Sequence, residues 1–204
     1  MATSGLVTIK SKQTLEQLAE SMRLLADVEV LVGFPEETTA RTVDTGETND
    51  YGKPIIGVEG SDITNAALAY IHDNGAPEQN IPARPFMRPG IEEVEKKITA
   101  KFAQIVNAVV VRNAGTIVVE QGLTQVGIIA KLAIQNKINE GIPPPLAVST
   151  LRARARKGRK GAGIELLARS KGYEPSMDFA KPLVDTGQLR NAVNYVIRSR
   201  KKRK

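Results

Sequence analysis

Cysteine and tryptophan are absent from the 204 residues, histidine occurs once, and Phe and Tyr together make only 4% of the chain. Without cysteine there is no disulfide, no thiolate metal ligand and no thiol nucleophile. A lone histidine, His72, excludes a two-histidine zinc site and any multi-histidine relay. With so few aromatics the core rests on Ile, Val, Leu and Ala, and an apolar content of 41% suffices for it. No apolar run approaches the roughly 20 residues that span a bilayer. Residues 1–10 lack the basic and apolar regions of a secretory leader. These absences predict a protein made inside the cell, with no membrane association, no metal or other cofactor, and a narrow choice of catalytic chemistry.

Charge is present but unevenly placed. Residues 152–204 carry 16 Lys and Arg against 4 Asp and Glu, a net of +12, which leaves residues 1–151 at −5 within the overall +7. Residues 36–62 alone hold seven acids, including Glu36, Glu37, Asp44 and Glu47, against Arg41 and Lys53. Such a chain can attract a copy of itself head to tail. Its basic end, with Arg152, Arg154 and Arg156 and six bases in 198–204, also offers a backbone contact to nucleic acid.

Residues 6–10 and 28–34 are β-branched and read as strands. The spacing of Leu15, Leu18, Met22 and Leu25 predicts a helix over 14–26, with Thr14 and Gln17 as a capping box. Residues 36–62, rich in Thr, Gly and acids, read as a long arm, either a hairpin that orders against a partner or plain loop. A helix opens at Asp62 or Thr64 and ends before Gly75. Three prolines at 82, 85 and 89 make 80–89 a stiff strut into a long amphipathic helix marked by Ile91, Val94, Ile98, Phe102, Ile105 and Val109. A second helical stretch follows to Gly141, with Gly115, Gly122 and Gly127 predicting a break inside it. Ser149 or Thr150 would cap a short basic helix. Asp185 or Thr186 would cap another before a last strand at 194–198. The fold class expected is α+β: a small mixed or antiparallel sheet from both chain ends packed against a long helical pair, with an extended arm. One domain over 1–198 would carry the arm as an insertion, and 199–204 would be a basic tail.

Catalytic patterns do not form. Asp73 beside His72 cannot orient it from an adjacent helical position. Residues 158–163, Gly-Arg-Lys-Gly-Ala-Gly, lack phosphate-loop spacing. Asp185-Thr186-Gly187 matches an aspartic-protease triplet without the second carboxylate that chemistry requires. Arg152, Arg154 and Arg156, at i,i+2, would be spread around a helix, and no aromatics interleave with them for base stacking.

Four segments occur in a suggestive order. They are 69–77 (Ala-Tyr-Ile-His-Asp-Asn-Gly-Ala-Pro), 80–89 (Asn-Ile-Pro-Ala-Arg-Pro-Phe-Met-Arg-Pro), 138–146 with 149–152, and 182–191 (Pro-Leu-Val-Asp-Thr-Gly-Gln-Leu-Arg-Asn). Over about 62–198 the chain resembles the neck and tail-completion proteins of tailed bacteriophages, including the tail component of lambdoid phages and the virion-morphogenesis protein of Mu-like phages. The resemblance implies a non-enzymatic ring subunit, expected as a hexamer, at the head–tail junction of the virion. It would surround the DNA conduit and touch other neck, connector and tail proteins. Interface residues expected from the motifs and charge patches are Glu36, Glu37, Asp44, Glu47, Ile81, Pro82, Arg84, Pro85, Phe86, Arg152, Arg154, Arg156, Asp185, Thr186 and Gly187. The alternative is a basic accessory protein that binds nucleic-acid backbone non-specifically.

Overall fold

The computed structural model describes residues 12–35, 42–48, 54–58, 63–112 and 114–200. In chain order the elements are α1 (Lys12–Asp27), β1 (Val28–Gly33), β2 (Thr42–Thr48), β3 (Pro54–Val58) and α2 (Asn65–Asn74). After a 3-10 turn at Pro77–Gln79 come α3 (Met87–Glu92), α4 (Glu95–Arg112), α5 (Thr116–Glu140), α6 (Val148–Arg156), α7 (Lys160–Ser170), α8 (Gln188–Ala192) and β4 (Asn194–Ser199). The expected strand at 6–10 lies outside the described residues. The class is α+β as the pattern predicted, with an antiparallel two-stranded sheet joining β1 to β4.

The described chain divides into two compact units. One draws on the described residues within 12–31, 95–129 and 196–200, the other on those within 32–94 and 130–195. In the first, Ile105 and Val109 of α4 pack with Val119, Leu123 and Val126 of α5, and Val28, Val30 and Ile197 from the paired strands lie against them. That is the expected sheet on a helical pair. Arg198 Nε sits 2.8 Å from a Glu29 carboxylate oxygen, tying the two strands together. Of the predicted α1 face, Leu18 and Leu25 reach this core while Leu15 and Met22 stay about half exposed.

In the second unit Phe86, Ile134 and Ile138 are fully buried, with Ala69, Leu183, Leu189 and Val193 around them. Phe34 meets Phe86 edge to face, ring centroids 6.4 Å apart. A satellite cluster of Leu146, Leu151, Ala162 and Ala180 joins α6 to α7.

One helix expectation is corrected and another is narrowed. The stripe from Ile91 to Val109 is broken at residues 93–94 into α3 and α4, although neither residue is a helix breaker. Ile91 serves the Phe86 core, whereas Ile98, Ile105 and Val109 serve the other core, so the pattern spans two packing tasks. The break expected among Gly115, Gly122 and Gly127 falls at Gly115, between α4 and α5, and α5 then runs unbroken through Gly122 and Gly127. At Gly122 a Cβ would stand 2.4 Å from Ile105 Cγ1, so this glycine admits a neighbouring side chain instead of ending a helix. Gly161 and Gly163 lie inside α7, and the turn before it is made at Gly158, with φ +77°. α5 is also long and apolar enough, by length and composition, to cross a membrane, which the residue runs alone did not suggest. Its Val119, Leu123, Val126, Ala130, Ile134 and Ile138 form a stripe buried within the protein.

Candidate functional site

Segments 69–77, 80–89, 138–152 and 182–191 meet within the second unit. Thr64 caps α2, its hydroxyl accepting from the Ala67 N–H at 3.1 Å. Gly75, at φ +80°, ends the helix, and a Cβ there would lie 2.7 Å from the Ala83 nitrogen. The chain therefore folds back tightly. Ala76 and Ile81 exchange backbone hydrogen bonds, and the Arg84 N–H donates to the His72 carbonyl at 2.8 Å. One Asp73 carboxylate oxygen accepts from the N–H groups of Phe86 and Met87 at 2.8 and 3.1 Å. The strut over 80–89 is thus pinned at both ends to α2.

From this strut the Arg84 side chain, 6% exposed, reaches the segment after α5. Its Nε donates to the Ile142 carbonyl and its Nη2 to the Pro144 carbonyl, at 3.2 and 2.8 Å. Arg169 donates to the Leu146 carbonyl, and Lys181 Nζ to the Asn139 carbonyl at the end of α5. Prolines 143–145 have no N–H to offer, so the carbonyls of this stretch are met by cationic side chains. Gly141, at φ +85°, makes the turn that starts it.

α6 and the 182–191 segment close the arrangement. Arg154 points inward, donating from Nη1 to the carbonyls of Lys181 and Val184 at 2.9 Å each. Asp185 accepts from Arg159 Nε at 3.0 Å, with Arg154 Nε at 3.9 Å. Asp185 is therefore no helix cap. α8 begins instead at Gly187, in the left-handed conformation, and Thr186 accepts only a marginal bond from the Gln188 N–H at 3.3 Å. Nor do Ser149 and Thr150 cap α6, which starts two to three residues earlier behind Ala147.

These elements surround a cavity of about 1400 Å³. Its charged lining is Arg84, Arg154, Lys157 and Arg159 against the single carboxylate of Asp185, with His72 on α2. Burial lowers the His72 pKa below its ordinary value, and the charges of Arg84 and Arg154 lower it further. Its Nδ1 is buried with no hydrogen-bond partner. Burial and Arg154 likewise depress Arg84, and burial followed by Arg159 depresses Arg154, although Asp185 opposes the latter. Both guanidinium groups remain charged. What forms is a fixed positive field over walls of Pro, Leu and Ile. Among the described residues no three His, Asp or Glu gather as a metal site.

The expected interface residues divide. Phe86 is fully buried in the core of its own subunit, whereas Arg84, 6% exposed, is anchored to the Ile142 and Pro144 carbonyls and lines the cavity. Ile81, Pro82, Arg154, Asp185, Thr186 and Gly187 line the cavity, and Pro85 is exposed on the strut. Arg152 and Arg156 are exposed while Arg154 turns inward, the spreading expected of i,i+2 positions. Glu36 and Glu37 lie outside the described residues. Asp44 and Glu47 fall on β2, which pairs antiparallel with β3 in a hairpin whose register shifts between Asp44 and Thr48.

Two groups escaped the sequence reading. Asp73 looked only like a doubtful partner for His72. Glu165, 1% exposed, accepts from Arg169 Nε and the Ser176 N–H, both at 2.8 Å, and from the Ser176 hydroxyl at 3.1 Å. The Glu165–Arg169 spacing of i,i+4 was the available signal for the second. Comparison with known proteins finds no matching family model, no similar curated protein and no similar solved structure.

Proposed function

We propose that the chain is a structural, non-enzymatic subunit of a tailed-phage virion neck, a collar, tail-completion or head–tail joining ring around the DNA conduit. One observation carries the reading. The four segments that bear the resemblance, spread over residues 69–191, come together around Phe86, Arg84 and the basic cavity in one folded unit, which supports reading them as a set. The β2–β3 hairpin supports it as well. Its two strands pair with each other, and among the described residues neither packs broadly on a helix, as suits an arm laid on a neighbour. Ring closure needs two unlike patches that meet head to tail, and the acidic arm and the basic C-terminal third are such a pair.

Light scattering on the purified chain, together with mass spectrometry of purified particles, tests the proposal. A defined oligomer present in virions is expected, and a strict monomer absent from particles rejects it. The second reading, a basic accessory protein on nucleic-acid backbone, draws on the exposed Arg152, Arg156, Lys157 and Lys160. It requires salt-dependent DNA or RNA binding that is lost when residues 198–204 are removed.

A further inference from the structure

We infer that the basic cavity of the second unit receives the acidic β2–β3 hairpin of another copy of this chain. The inference rests on the ring reading above and assigns its contact. The volume, about 1400 Å³, exceeds the roughly 300–1,000 Å³ of small-molecule sites and suits a piece of polypeptide.

The lining is built for a mixed occupant. Ile81, Pro82, Pro144 and Leu146 give apolar wall, while Arg84, Arg154, Lys157 and Arg159 outnumber the one carboxylate. Arg84 and Arg154 are anchored through backbone carbonyls, so their charges are held in place before anything binds and little ordering is left to lose. The hairpin has the complementary composition. β2 carries Asp44 and Glu47, β3 carries Ile55, Ile56 and Val58, and residues 36–62 as a whole are at −5.

A duplex phosphate backbone fits less well. It presents a convex, uniformly charged surface, and the exposed face of α6, not an apolar-walled concavity, is where it would rest. Long-range attraction between arm and cavity would also steer encounter, and a neighbour's hairpin entering each cavity in turn propagates head to tail.

The absence of cysteine makes a direct test available. Single variants Glu47→Cys and Thr186→Cys are mixed in the full-length chain and oxidised under conditions where light scattering reports oligomers. Disulfide formation requires Cα atoms within roughly 7 Å, so the readout is local. A disulfide dimer between the two variants is expected, at least tenfold more abundant than with Tyr173→Cys, an exposed position that does not line the cavity. Adding Lys157→Glu to the Thr186→Cys chain should reduce it severalfold, with unchanged circular dichroism.

Oligomers that give no Glu47–Thr186 disulfide above the Tyr173 control overturn this contact and leave the ring standing. A short DNA duplex that binds the unmodified chain, loses binding on Lys157→Glu, and is accompanied by no such disulfide overturns it in favour of phosphate. A chain that remains monomeric at every concentration and is missing from particles removes both proposals.

Discussion

The Asp73 carboxylate at the end of α2 accepts from the backbone N–H groups of Phe86 and Met87 at the start of α3, at 2.8 and 3.1 Å. It acts as the N-terminal cap that Phe86 itself cannot supply, since Phe86 makes no side-chain capping bond. The cap comes from thirteen residues upstream and joins two family-like segments. Replacing Asp73 with Ala leaves two half-buried N–H donors without their acceptor and should lower stability by about 2 kcal/mol. Asp73→Asn keeps a carbonyl oxygen and should lose less than half of that. Urea unfolding of the three proteins checks the order.

Two glycines on α7, two residues apart in sequence, should respond oppositely to alanine. A Cβ on Gly161 would lie 1.9 Å from the Phe179 carbonyl oxygen, so backbone must move. Nothing stands within 4 Å of a Cβ on Gly163. Gly163→Ala should therefore stabilise by about 0.5–1 kcal/mol through helix propensity. Gly161→Ala should destabilise by roughly 1–3 kcal/mol through overpacking. Thermal melts giving the same sign for both would contradict the close approach at Phe179.

These glycines also mark where sequence reading stops. Periodicity placed α1, α2, β1, β4 and the stripes of α4 and α5, because amphipathic spacing is a local property. It could not choose among Gly115, Gly122 and Gly127 for the break, or tell why Gly161 is a glycine, because the atoms that crowd Gly122 and Gly161, those of Ile105 and Phe179, are remote in sequence. The same holds for the site. Charge counting located the acidic arm and the basic third. It could not tell that Arg84 faces the carbonyls of Ile142 and Pro144, or that Asp185 meets Arg159 and does not cap α8. Turn chemistry was legible at Gly75 and Gly141, where a left-handed residue must follow a helix.

Glu165 gives an acid-side prediction. Its burial pushes the carboxyl up, but the Ser176 N–H, the Arg169 guanidinium and the Ser176 hydroxyl outweigh that and hold it below its ordinary value of 4.5. A depressed carboxyl contributes stability that is present above the unfolded pKa and lost as pH falls through the folded one. Stability of the wild type should therefore decline below about pH 4.5, and Glu165→Gln should flatten that decline. At pH 7 the variant should lose about 3 kcal/mol, because Arg169 is left a mostly buried charge without its counterion.

His72 acts at higher pH. Its folded pKa is lowered, first by burial and then by Arg84 and Arg154, so protonation is resisted in the folded state. The neutral form's advantage is present above the unfolded value of 6.5 and is lost as pH falls below it. Denaturant midpoints should drop between pH 7 and pH 5, and His72→Gln, which cannot take the proton, should show a smaller drop. Identical pH dependence in the two proteins would remove His72 from the positive field around the cavity.

Charge reversal of the arm separates assembly from folding. Glu36, Glu37, Asp44 and Glu47 all lie in the acidic 36–62 stretch, and neither β2 nor β3 packs broadly on a helix. Replacing the four with Lys should change the stability of the monomer by no more than about 0.5 kcal/mol. Oligomer formation should weaken at least tenfold, because each lysine meets the like charge of the basic third. Ionic strength provides the second arm of the experiment. Salt at 1 M shortens the Debye length to roughly 3 Å, so the wild-type oligomer should loosen as salt is added, whereas the reversed variant, whose repulsion is screened, should not loosen further. Equal assembly of both proteins at every salt concentration would take the acidic arm out of the contact, since a charge-driven interface cannot be indifferent to both the sign of its charges and their screening.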